Sequence, residues 1–186
     1  MVHNNEDTTL ELDSHADTSV LGGGALAVAD FNEPVNVQGY DLSLGTKTYK
    51  NITGAVGYCD PVSGSIYHLV IHQAIYIPGL DHHLLSPMQC RVADVDINDC
   101  PKFIIANPTE DSNRIIAHDE YRARVVLPLV LQGITSALNV HQIYEPEWTR
   151  EAALHITLTN RDLHWDPNSS IYEEQEQACS DLFGDS

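Results

Sequence analysis

Two carboxylates four residues apart, Asp13 and Asp17, stand in the stretch TTLELDSHADTSVLGGG, Thr8 to Gly24. The alternating run TLEL reads as a strand that ends at Asp13. A hydroxyl residue, Ser14, follows at once, and an apolar pair, Val20 and Leu21, lies beyond the second acid. A carboxylate in this setting can join a carboxylate pair. Two such groups about 3 Å apart cannot both ionise, so they share one proton. The ionised member activates a water, and the protonated member donates to a carbonyl. Taken alone, an acid before a serine is commonly no more than a turn cap. The same stretch also offers an imidazole. Asp13, His15 and Asp17 alternate along one face of an extended segment, and His68, His72, His82 and His83 follow later. Carboxylate and imidazole together suit zinc, manganese or iron. Ligand sets drawn from one short strand are seldom complete, so a metal-dependent hydrolase is a distant third reading. No metal and no other cofactor is expected. Solvated imidazoles are the expectation for His68, His72, His82, His83 and His118.

A carboxylate pair needs a second acid. The other internal Asp-Ser, Asp111-Ser112, lies in PTEDSN with no apolar strand leading into it. The second acid must then come from another copy of the chain, and a C2 homodimer is the commonest way to supply it. Here a resemblance enters. ELDSHADTSVLG resembles the active-site stretch of retropepsin-like aspartic proteases, in which an apolar pair precedes Asp-Thr/Ser-Gly-Ala, then Asp or Ser, then a second apolar pair. The resemblance implies that Asp13 is the catalytic acid and that Ser14 supports the loop. It places His15, Ala16 and Asp17 against the substrate, with Asp17 holding substrate backbone.

A second stretch, AIYIPGLDHHLLSPMQ, is similar to the segment that closes the protease region of copia-type retrotransposon polyproteins. Leu84, Leu85 and Ser86 then stand where simpler retropepsins carry two apolar residues and a glycine before a helix. LPLVLQGITSALNV and WDPNSSIYEEQE look like the region that follows in such polyproteins, so the likeness covers most of the chain. The family also implies a flap, a glycine-bearing hairpin over the substrate. By strand order it falls in VQGYDLSLGT, with Gly39, Tyr40 and Gly45 as its candidates.

The chain departs from the family pattern at His15, where the pattern has glycine. Glycine would let backbone pass close to substrate and to the catalytic acid. Three arrangements are open. The loop is rearranged with the imidazole aside and the enzyme active; or the imidazole sits against the acid pair and alters its pH dependence; or the site is silent and the domain serves as a dimerising or peptide-binding module.

The elements that must hold this site read mainly as strands. EPVNVQGYD, TKTYKNITGAVGY and SIYHLVIHQAIYIP are strand candidates, and DPVSG between the last two is a turn. Ser86-Pro87 opens a helix, serine as cap and proline in the first turn. RARVVLPLVLQGITSALNVHQI returns to strand composition, broken at Pro128. GGGALAVAD has no Lys-Ser/Thr and is no phosphate-binding loop; it lets the chain turn after the active-site loop. The expected fold is mainly β, a retropepsin-like (acid protease) closed β-barrel lobe with one or two short helices. The expected protease domain spans 5–143 and an acidic C-terminal extension or linker spans 144–186. That extension holds ten acids against two bases, and both tryptophans, Trp148 and Trp165, which suggests that part of it docks on the body.

Composition removes several classes. With 27 acids against 9 bases, the net charge of -18 repels nucleic acid and anionic membrane. Cys59, Cys90, Cys100 and Cys179 lack metal-finger or disulfide spacing. No apolar run approaches the length of a membrane span, and MVHNNEDTTL does not read as a signal peptide, so a cytoplasmic protein is expected. The expected function is an aspartic endopeptidase, a homodimer with one acid per subunit, that cleaves its own Gag-Pol type polyprotein. The alternative is an inactive module of the same fold that dimerises or binds peptide.

Overall fold

The computed structural model describes residues 7–39 and 41–184. Tyr40 lies outside the described residues, as do the first two positions of the expected domain. The chain opens with β1 (Asp7–Leu12), β2 (Val20–Gly22), β3 (Leu26–Asp30) and β4 (Val35–Gln38). A single 3-10 turn, Leu42–Leu44, leads to two long strands, β5 (Thr46–Cys59) and β6 (Ile66–Ile77). Next come β7 (His83–Leu85), helix α1 (Pro87–Val92) and β8 (Asp96–Asn98). β9 (Arg114–His118), β10 (Arg124–Pro128), β11 (Val130–Gln132) and β12 (Thr135–His141) follow. The last elements are α2 (Glu145–Trp148), β13 (Leu154–Thr157) and α3 (Ile171–Phe183).

The strands form where the sequence is rich in β-branched and aromatic residues. The turn between β5 and β6 is capped by Asp60, whose carboxylate accepts from Val62 N at 3.0 Å and Ser63 Oγ at 2.6 Å. Pro128 ends β10, and the strand resumes two residues later as β11. α1 starts as its sequence requires: Ser86 caps it, accepting from Gln89 N, and Pro87 fills the first turn.

The main sheet runs β11-β12-β1-β7-β2-β6-β5-β3, with β4 added to β5 and β13 added to β6. It also closes on itself, because β12 meets β5 at His141 and Gly57. The resulting ring encloses Leu10, Leu21, Leu69, Ile71, Leu85 and Leu138, all essentially inaccessible to solvent. Each such side chain contributes roughly 1.5–3 kcal/mol by burial. A Cβ at Gly57 would run into the His141 ring, so a larger residue at the closure would displace that side chain. A separate three-stranded sheet, β10-β9-β8, packs its Ile97, Ile115 and Leu127 into the same core.

The architecture is mainly β, as expected, but it has three α-helices rather than one or two, and the last is 13 residues long. The acids that marked this stretch as extension also suit a helix, since Glu173 and Glu174 sit in its first turn. The extension does not stand apart from the body. β13 pairs in parallel with β6 from Leu154↔Tyr67 to Thr157↔Val70, and Ile156 and Leu158 are fully buried.

The expectation of solvated histidines holds for His118, which is exposed, and fails for others. His83 is fully buried, His68 is 5% exposed, and His72 is half-buried. The reason is position. β6 and β7 are interior strands of the ring, covered on both sides, so even their imidazoles lose solvent. No helix among the described residues is long and apolar enough to cross a membrane.

Candidate active site

The loop from Asp13 to Ser19 joins β1 to β2, yet these strands are not neighbours. β7 lies between them. It pairs in parallel with β1 (Leu10↔His83, Glu11↔Leu84, Leu12↔Leu85) and antiparallel with β2 (Val20↔Leu84). The two sequence motifs, DSHAD and LLS, are thereby brought together. Asp13 N donates to Leu85 O at 3.1 Å, and Ser86 N donates to Ser19 Oγ at 3.0 Å.

Asp13 is half-buried at the end of β1. One of its carboxylate oxygens, Oδ1, accepts the backbone N–H of His15 at 2.9 Å, and Ala16 N donates to Asp13 O at 3.1 Å. The carboxylate is held by the loop's own backbone, as in a short aspartate-centred turn. His15 itself is exposed, and its backbone avoids the left-handed region, so no glycine is needed there for conformation. In the single subunit the imidazole is exposed to solvent. Ser14 is also exposed, and its hydroxyl makes no hydrogen bond among the described residues.

The hydroxyl that supports the loop from within is Ser19, which sequence reasoning passed over. It is fully buried. Its N–H donates to Gln89 Oε1 at 2.9 Å, its Oγ accepts from Ser86 N, and its carbonyl accepts from Ile75 N at 2.9 Å. Gln89, on α1, also reaches Gln73 O through Nε2 at 3.1 Å. The far side of β2 is pinned by His83, whose Nδ1 accepts the Gly22 N–H at 3.0 Å. Burial, with the neighbouring His82 adding to it, pulls the His83 pKa down to about 4, so the ring is neutral and able to accept. Gly22 is needed here, because a Cβ would lie 2.5 Å from the carbonyl oxygens of Leu80 and His82.

A further unread residue is Gln73. It sits at an irregularity in the β5–β6 pairing, between Ile52↔Ala74 and Gly54↔Ile71, with a positive φ of 53°. Such a conformation is costly for a non-glycine residue and persists only where surroundings impose it. Its side chain explains the position. Nε2 donates to Asn160 O at 2.8 Å and Leu163 O at 2.7 Å, and Oε1 accepts from Trp165 N at 2.7 Å. The extension is thus tied to the sheet beside the loop. The Trp165 indole completes the tie by donating to Asp17 O and Thr18 Oγ1, each at 3.1 Å.

The stretch expected to hold a flap contains a hairpin. β4 and β5 pair as an antiparallel hairpin from Val35↔Tyr49 to Gln38↔Thr46, and Gly39 and Gly45 bracket its tip. Gly45 has a φ of 69°, which glycine alone adopts cheaply. Leu42 and Leu44 stand exposed on the tip. Between β4, the loop residues Asp17 and Thr18, and the segment Trp165–Asn168 runs a groove of about 480 Å³.

Leu85 and Ser86 are buried and Leu84 half-buried, so the second motif supports the site and does not face a ligand. Asp111, the acid of the other Asp-Ser, forms an ion pair with Arg124 at 2.7 Å. Among the described residues no group of three or more His, Cys, Asp or Glu side chains is arranged to hold a metal ion. An aromatic cluster joins α2, β13 and β6, where Trp148 stacks on His155 at 4.1 Å and His68 lies 5.4 Å from His155. Compared with known proteins, the chain matches no family model, no curated protein and no solved structure.

Proposed function

We propose that this chain is a retropepsin-like aspartic endopeptidase that works as a C2 homodimer, each copy supplying Asp13. The observation that carries the reading is the placement of β7 between β1 and β2. It seats the DSHAD loop on the LLS motif through Asp13 N to Leu85 O and Ser86 N to Ser19 Oγ. Motifs about 70 residues apart meet at the one acid that the chemistry needs. The loop has a rigid base and an exposed tip at Ser14 and His15, which is what pairing with a second copy demands. The glycine-bracketed hairpin with its apolar tip beside the groove fits a flap.

In the proposed mechanism two Asp13 carboxyls share one proton across the two-fold axis. The ionised one takes a proton from water as it attacks the scissile carbonyl. The protonated one donates to that carbonyl oxygen. Asp17, exposed at the groove, holds substrate backbone. The substrate proposed is the polyprotein of which the chain is part. The four cysteines are unpaired, which suits action in a reducing cytoplasm.

The test is cleavage of labelled unfolded casein from pH 4 to 8 by the wild type and by Asp13→Asn. Cleavage that rises more than linearly with protein and disappears in the variant is expected. Equal cleavage by both proteins sinks the reading. A folded dimer without activity at any pH would replace it with the peptide-binding module.

A further inference from the structure

The groove beside the catalytic loop has an uneven chemistry. Its walls mix an apolar strip of Val35, Val37, Trp165 and Pro167 with uncharged amide side chains, and its single charged lining residue is Asp17. One wall, β4, pairs only with β5 among the described residues, so its outer edge is open to an added strand. The opposite wall comes from the C-terminal extension and is fixed firmly. Trp165 is held by its backbone N–H on Gln73 and by its indole N–H on Asp17 O and Thr18 Oγ1. Tyr172 packs tilted on the same ring at 5.5 Å, and Trp165 still lines the groove.

We propose that this groove selects an extended peptide carrying lysine or arginine, its stem along Trp165 and its charged head at Asp17. The proposal rests on the endopeptidase reading of Asp13 and names the substrate class of that same site. Three features point to it. A long basic side chain needs an apolar track and a terminal carboxylate, and the groove supplies both. An indole attracts a cation more than any other side-chain ring does. The net charge of -18 draws basic peptides towards the chain before contact. An acidic peptide meets the opposite of each feature. The extension is then part of the binding site, and Trp165 is a specificity-determining residue.

The probe is a fluorescein-labelled decapeptide of alternating valine and threonine. One arginine is moved through the ten positions, with matching leucine and glutamate series. Binding is read by anisotropy on Asp13→Asn protein, and cleavage by mass spectrometry on the wild type. At its best position arginine should bind about tenfold tighter than leucine, and glutamate weakest. Asp17→Asn should shrink the arginine-to-leucine ratio to below about threefold. Trp165→Ala should shrink it too, while Trp165→Phe, which keeps a ring, should retain most of it. A merely structural role for Trp165 would weaken all three series together and leave the ratios unchanged. Leucine binding as well as arginine at every position, or a ratio that survives in Asp17→Asn, overturns the proposal. The two readings separate cleanly. Cleavage without basic preference removes the groove assignment alone, and basic preference in binding without cleavage removes the endopeptidase alone.

Discussion

Replacing His83 by asparagine should flatten the acid side of the stability curve. His83 is fully buried in β7, and its Nδ1 accepts the Gly22 N–H in β2, the strand that follows the Asp13 loop. Its Nε2 is buried without a partner, so protonation brings no new bond in return. The pKa is about 4 in the folded chain against 6.5 for the free side chain. Between these values the unfolded chain binds a proton that the native chain refuses, so stability falls as pH falls. The shift of about 2.5 pH units gives a loss of about 2 kcal/mol between pH 7 and 5, and about 3 kcal/mol by pH 4. Below pH 4 the native ring also binds the proton and the loss levels off. Burial likewise lowers the pKa of His68 and His72, which adds loss of the same sign. In His83→Asn the amide oxygen can still accept from Gly22, and the titration is gone. Urea unfolding followed by tryptophan fluorescence at pH 7, 6, 5 and 4 measures both proteins. The variant should start less stable at pH 7, because it is smaller, and lose about 2–3 kcal/mol less on acidification. Parallel curves for the two proteins would refute the reasoning. The same proton removes the acceptor that holds Gly22 in β2, so the proposed cleavage below pH 5 should fall faster in the wild type than in the variant.

Three other changes probe the support of the loop. Gln73→Ala removes three hydrogen bonds to the extension and should cost about 2–4 kcal/mol, with tryptic cleavage after Arg161 clearly accelerated; unchanged cleavage there would mean the extension is held otherwise. Ser19→Ala leaves the buried Ser86 N–H without its acceptor and should cost about 1–3 kcal/mol in urea unfolding, against near-neutrality for Ser14→Ala, whose hydroxyl is exposed. His15→Gly keeps the backbone N–H on Asp13, and kcat/KM should stay within about threefold; a gain of tenfold or more would show that the imidazole obstructs the site.

The parts legible in the sequence are those written in local pattern. β5 and β6 are dense in β-branched residues, Asp60–Gly64 is a strong turn, and Ser86-Pro87 starts a helix where those residues should. The hairpin at Gly39 and Gly45 followed from strand order and turn residues. Ser19, Gln89 and Gln73 were not legible, because nothing local marks a serine or glutamine as buried. Each has a partner 67 to 92 residues away. β13 was hidden for a related reason. LHIT is too short to show a period, and its strand character comes from the edge of β6 that it covers. The buried histidines were misread because composition treats an imidazole as polar, whereas β7 lies between β1 and β2 and β6 between β2 and β5, which makes both interior strands.

The division of labour around Asp13 follows from these long-range ties. A carboxylate that met its own copy, as proposed, would need a tip that is open and a base that does not yield. The base is made by groups that the rest of the subunit fully commits: Ser19 by Ser86, Ile75 and Gln89, Gly22 by His83, Asp17 and Thr18 by Trp165. The tip, Ser14 and His15, is committed to nothing but the turn that holds Asp13. A histidine in place of glycine therefore costs the isolated subunit little, since neither backbone conformation nor packing asks for glycine there. Its bulk is felt only by what approaches the tip, a second loop or a substrate. Whether His15 silences the site is thus decided between molecules, and any effect of a substitution there should appear in dimerisation or cleavage while subunit stability stays nearly untouched.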